Sequence, residues 1–176
     1  MVWSAGQREF VPLLLGFYWL LPPAKVARKE NIEWVVIEEL EMGLHPKAIS
    51  AVLLLVIELL SRGYRVCLST HSPHVLDLVW GMKMIRRHDA SPTKLLQMLG
   101  ATESQAMNLL ADSAKAKDIK VYYFDRDSGT TTDISELDPG SANIKEAGWG
   151  GLSEFSGRVA NVVAEVVAAS NGANEG

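Results

Sequence analysis

Between residues 46 and 63, Ile49, Val52, Leu53, Val56, Leu59 and Leu60 recur at helical spacing. The spacing predicts a helix that opens at Pro46, packs one face on a sheet and stops at Gly63. Two short apolar runs flank it, Trp34 to Glu38 and Tyr64 to Ser69, and both read as strands. The order strand, helix, strand implies a right-handed parallel crossover, so the two strands finish at one sheet edge.

Weaker patterns surround this unit. Ser4-Ala5-Gly6-Gln7 matches a helix start in which Ser and Gln exchange bonds with backbone N–H groups, predicting a helix from about Ala5 toward Leu21. Pro12 falls inside it, as a kink or a lost hydrogen bond, and Pro22-Pro23 ends it. Ser72 and Pro73 supply a cap and a first-turn residue for a helix to about Trp80. Ser91-Pro92 to Leu99 reads as a short helix, and Thr102-Glu103-Ser104-Gln105 as a capping box for another ending near Lys115. Lys120 to Phe124 and Thr130 to Ile134 suggest a hairpin around Asp127-Ser128-Gly129. Gly148 to Gly151 reads as a flexible joint before an amphipathic helix from about Ser153 to Ala168, and the tail from Ser170 as disordered. The expectation is an α/β fold: a mostly parallel sheet flanked by helices, with a late β-hairpin and a C-terminal helix. It forms one lobe over 1–169 and a tail over 170–176.

Composition narrows the function classes. At 176 residues, 48% hydrophobic and 22% charged, the chain can bury one substantial core. A net charge of -4 argues against a generally basic nucleic-acid surface and leaves nucleic acid an unproven partner. The single cysteine, Cys67, lies in an apolar strand, cannot form an internal disulfide and reads as a buried small hydrophobe. A reducing, cytoplasmic setting fits it. The run Val11 to Pro23 is too short to span a bilayer, Glu58 breaks the run Ala51 to Leu60, and no signal peptide follows Met1.

The candidate chemistry gathers at the strand ends. β-strand Trp34 to Glu38 runs into Glu38-Glu39-Leu40-Glu41, then Gly43-Leu44-His45-Pro46; the second strand runs into Ser69-Thr70-His71-Ser72-Pro73. Phosphoryl transfer to water needs a metal to neutralise phosphate charge, a carboxylate to orient or deprotonate the water, and a donor toward the γ-phosphate. Glu38, Glu39 and His71 can fill those roles in that order. Ser4, Gly6 and Gln7 sit at a helix start, where unpaired amides and the helix dipole favour an anion.

These motifs together resemble ABC-type, SMC-like heads of the AAA ATPase class. Ser4-Ala5-Gly6-Gln7 resembles their signature loop, Val35 to Glu39 their Walker B strand, Gly43-Leu44-His45-Pro46 their D-loop, and His71 their switch histidine. The resemblance covers residues 1–80 firmly and about 119–168 more loosely. It implies ATP and Mg²⁺, with Glu38 holding the metal, Glu39 as the catalytic carboxylate and His71 on the γ-phosphate. It also implies that Ser4, Gly6 and Gln7 bind nucleotide held by a second ATPase head, in a head-to-tail dimer. The family normally has Asp where Glu38 stands and Pro where Leu40 stands; the added methylene pushes the carboxylate toward the metal. No Gly-rich Lys-Ser or Lys-Thr loop occurs in the chain, so no Walker A phosphate cradle is present. Because the signature-like loop begins almost at Met1, the resemblance implies a fragment, a split gene product or a truncated form whose Walker A lobe is supplied elsewhere. Two rivals stand beside this reading. One is a catalytically degenerate interaction module. The other is a subunit of a defence or DNA-repair nuclease using Asp125 and Asp127, against which a solvated hairpin turn is the plainer account.

Overall fold

A computed structural model describes residues 5–23 and 27–173, the side chains of 5, 7 and 169–173 aside. The chain divides into two compact units, Met1–Ile119 and Lys120–Gly176, within the span read from sequence as one lobe.

The first unit is built on the predicted crossover. Strand β1, Trp34–Glu38, pairs in parallel with β2, Arg65–Ser69, and helix α2, Pro46–Ser61, connects them. Around them lie α1, Ala5–Leu20, and three helices that follow β2: α3, Pro73–Arg87; α4, Thr93–Leu99; and α5, Gln105–Lys115. Among the described residues the sheet is only these two strands. The expected mostly parallel sheet is therefore present in miniature.

Burial follows the strand alternation. Val35 and Ile37 of β1 and their partners Val66 and Leu68 of β2 lie inward, with Ile37 6% exposed. Trp34, Val36 and Cys67 lie outward and are exposed. This corrects one expectation. Cys67 is not a buried small hydrophobe, because among the described residues helices cover one face of the sheet and side chains alternate between faces. The Arg65 guanidinium lies 5.5 Å from the Trp34 ring and 3.4 Å from Glu33, partly screening the open face.

Helix α2 is the centre of the core. Ile49, Val52, Leu53, Val56, Ile57 and Leu59 are buried, so Ile57 takes the place expected of Leu60. The helix packs on β2, α4 and α5. Phe17 and Leu20 bring α1 into the same core, and the buried Tyr64 hydroxyl donates to the Leu20 carbonyl at 3.1 Å while accepting from the Lys29 N–H at 2.9 Å. One phenol thus ties the end of α1 to the link before β1.

Several boundaries differ from the sequence expectation for local reasons. Helix α3 continues seven residues past Trp80, through Gly81, because that glycine lies under Met98 of α4; a Cβ there would stand 2.5 Å from the Met98 sulfur. Packing outweighs the poor helix propensity of glycine. Helix α5 is capped by Ser104, whose hydroxyl accepts from the Met107 N–H at 3.2 Å, and not by Thr102. Ser72 sits at the N-cap of α3, yet its side chain makes no capping bond.

The second unit is a hairpin with helices. Strands β3, Tyr122–Asp125, and β4, Thr130–Asp133, pair antiparallel, followed by the short α6, Ile144–Ala147, and α7, Glu154–Ala173. Ile134, Leu137 and Trp149 are its buried apolar residues, whereas Phe155, Val159, Val162, Val163 and Val166 of α7 stay exposed. The segment expected as a joint at 148–151 contains three glycines, and Gly150 lies so close to the Tyr123 ring that any Cβ would collide with it. Helix α7 also runs past Ala168 into the segment expected as tail.

Candidate functional site

The site grows from the way β1 ends. Its ladder with β2 runs one residue beyond the strand, the Glu39 N–H donating to the Ser69 carbonyl at 2.9 Å. Glu39 then adopts a left-handed backbone with φ 46°. For a residue with a Cβ this costs about 1 kcal/mol or more, and such strain gathers at functional positions. It turns the chain off the sheet, and the Met42 N–H closes the turn on the Glu39 carbonyl at 2.9 Å. Leu40, 2% exposed in the core, anchors this turn from inside. The hydrophobe that stands where the resembled family has Pro therefore has a packing role. Gly43, φ 68°, completes the reversal, and His45 caps α2, its Nδ1 accepting from the Lys47 N–H at 3.3 Å.

Helix α1 meets this turn at its start. A Cβ on Gly6 would collide with the Gly43 carbonyl oxygen and lie 3.2 Å from its carbon. The close backbone approach that a glycine permits is thus made, at this position, to the chain's own Gly43. Ser4 lies outside the described residues, as does the side chain of Gln7.

At the end of β2 the chain passes through Thr70, His71 and Ser72 into α3. The His71 Nε2 stands 3.4 Å from Glu39 Oε1. The parallel register, which pairs Glu38 with Ser69, brings these two groups to one edge. The His71 side chain is 81% exposed and that of Glu39 38%. A pair so open to water contributes no more than about 1 kcal/mol, so the contact reports where the backbone puts the groups and does not hold them there. At the second residue of α3, His74 Nε2 meets Ser50 Oγ of α2 at 3.0 Å and ties the two helices together.

Glu41, which the sequence reading passed over, supplies the firmest link. Its Oε1 accepts from the His71 N–H at 2.6 Å and from the Thr70 hydroxyl at 2.8 Å. The Thr70 Oγ1 in turn accepts from the Ser72 N–H at 3.0 Å. The available signal was the third carboxylate in Glu38-Glu39-Leu40-Glu41, set one residue beyond a hydrophobe, opposite a hydroxyl preceding the histidine.

Glu38 behaves differently. It is exposed, and among the described residues no group of three or more His, Cys, Asp or Glu side chains is placed to hold a metal ion. Mg²⁺ is commonly held by one or two carboxylates together with substrate phosphates and water, so an exposed strand-end carboxylate fits that donor set.

Residues 2–77 match the family model described as "AAA domain, putative AbiEii toxin, Type IV TA system". The matched span takes in α1, both strands, Glu38, Glu39, Glu41 and His71. It supports an AAA-type, P-loop-like ATPase domain there, with a nucleotide-binding, ATPase-like function in general. No curated protein and no solved structure matches the chain. No helix among the described residues is long and apolar enough to cross a membrane.

The second unit accounts for the Asp-x-Asp candidate by itself. Asp125 Oδ1 accepts from the N–H groups of Asp127 and Ser128 at 3.0 and 3.2 Å, and its Oδ2 pairs with Lys145 Nζ at 2.6 Å. One acid shapes the hairpin turn and pairs with a lysine, which is the solvated-turn arrangement given above as the plainer account. The Lys145 ammonium first, and then the Ser128 N–H, hold the Asp125 carboxyl down at about 2. Because the folded value lies below the ordinary value of about 3.9, the stabilisation is complete above about pH 4 and is lost as pH falls through about 2. The amide resonances of Asp127 and Ser128 should hold their native positions down to about pH 3, with Lys145→Met moving their transition up toward the ordinary carboxylate range. A wild-type transition near pH 4 would contradict the pairing.

Proposed function

We propose that this chain is the C-terminal lobe of an ABC-like ATPase head, carrying the hydrolytic half of an ATP site that a second lobe with a Gly-rich Lys-Ser or Lys-Thr loop completes. The observation that carries the reading is the 3.4 Å approach of His71 to Glu39 at the common end of two parallel strands. That edge is where open α/β sheets bind their ligands. In this reading Glu39 orients and deprotonates the attacking water, and His71 donates toward the γ-phosphate. Glu38 would hold Mg²⁺, which when bound neutralises charge on the phosphates.

Two further features favour a lobe that is completed from outside. The chain contains no Gly-rich Lys-Ser or Lys-Thr loop. The exposed Trp34, Val36 and Cys67 lie on the open side of a parallel sheet, a kind of sheet that is ordinarily covered on both faces. Ser4, Gly6 and Gln7 would face the nucleotide of a second head in a head-to-tail dimer, with the start of α1 held against the Gly43 turn. The replacement of Asp by Glu at position 38 bears on metal affinity and turnover within this same scheme. Single-turnover ATP hydrolysis by the chain paired with a Walker A lobe, wild type against Glu39→Gln, tests the proposal: equal rates would remove Glu39 from the chemistry.

A further inference from the structure

We propose that Glu41 is a positioning residue for His71, clamping the β2–α3 turn so that the imidazole faces Glu39; this rests on the nucleotide reading above. A single carboxylate oxygen receives the His71 N–H at 2.6 Å and the Thr70 hydroxyl at 2.8 Å. Through the Thr70 oxygen it also reaches the Ser72 N–H at 3.0 Å. Three consecutive residues after β2 therefore hang on one side chain from the turn after β1. Both bonds fall on one oxygen and both are short, so the turn and the side chain are held together at two points.

The clamp acts on the part of His71 that can be held. The imidazole is 81% exposed and stands beside Glu39, so its place is set by the backbone that carries it. Glu41 is itself well anchored, because Leu40 beside it is 2% exposed in the core and the Leu44 N–H donates to the Glu41 carbonyl at 3.0 Å. Glu39, Leu40 and Glu41 thus divide the labour: a carboxylate toward His71 at the sheet edge, a hydrophobe into the core, and a carboxylate onto the neighbouring turn. The second oxygen of Glu41 is buried and meets no donor among the described residues. The accepting oxygen is therefore the functional one, and an amide in its place keeps an acceptor for both bonds.

The test uses this chain and its Glu41→Ala and Glu41→Gln variants, first without nucleotide. In the wild type the His71 amide proton should resonate far downfield, and a nuclear Overhauser contact should join the His71 ring to the Glu39 side chain. Glu41→Ala should shift that amide upfield and lose the contact, and Glu41→Gln should retain both. Paired with a Walker A lobe, Glu41→Ala should lower kcat by about tenfold or more at nearly unchanged ATP affinity, since a displacement of ~1 Å can cost about 100-fold. Glu41→Gln should recover most of the rate. Should Glu41→Ala fail to fold, Thr70→Val removes one arm of the clamp and should move the same signals less far. A folded Glu41→Ala, or in its absence Thr70→Val, with an unchanged His71 amide and ring contact overturns the proposal, as does an unchanged kcat. If the spectra respond as expected but the wild-type assembly hydrolyses no ATP, the nucleotide reading falls and the clamp stands.

Discussion

Replacing Leu59 by Ala should destabilise the first unit by about 2–5 kcal/mol, the range for a buried leucine truncated in a close-packed core. Leu59 is fully buried on α2, the helix that packs on β2, α4 and α5, and has no solvent side toward which the structure could relax. Domain stability is about 5–15 kcal/mol in total, so the loss is a large share of it. Leu60→Ala should cost distinctly less, because Ile57 and not Leu60 completes the buried face. Urea unfolding of the two variants separates them: the Leu59→Ala midpoint should fall furthest, with little change in slope. Equal losses would mean that α2 is rotated from the orientation described.

The second large effect is chemical. Glu39→Gln, in the chain paired with a Walker A lobe, should slow single-turnover hydrolysis by about 10²–10⁴-fold, the usual contribution of a positioned general base. That range corresponds to about 2.7–5.5 kcal/mol of barrier. Glutamine keeps the shape of the side chain, and the backbone at 39 is fixed by its bond to Ser69 and by the Leu40 anchor, so ATP affinity should change little. A fall in rate at constant affinity marks an interaction made in the transition state. Weakened binding with an unchanged chemical step would instead assign Glu39 to ground-state contacts.

The parts of this fold written as local pattern were legible from sequence. Ile49 to Leu59 repeat at 3.6 residues, Pro46 and Gly63 bracket them, and the two flanking apolar runs can lie side by side only as a parallel crossover. The meeting of residues 39 and 71 follows from that topology. What the pattern did not carry was set by neighbours distant in sequence. Helix α3 was expected to end near Trp80, and the packing of Gly81 against Met98 carries it further. Cys67 looked buried because an apolar strand does not record how many of its faces are covered. Thr102 was the expected cap of α5, and the backbone instead took Ser104, whose hydroxyl reaches an N–H three residues on. Glu41 was passed over for the same reason, since its partners Thr70 and His71 lie on the other strand's exit.

Side-chain spectroscopy of Glu39 and His71 in labelled chain, titrated with Mg²⁺–ATP with and without a Walker A lobe, tests most directly whether their shared edge is a nucleotide site. The account predicts that both side chains, and Glu38 beside them, respond to nucleotide when the lobe is present. Nucleotide bound tightly by the assembly with no response at residues 39 and 71 would contradict it.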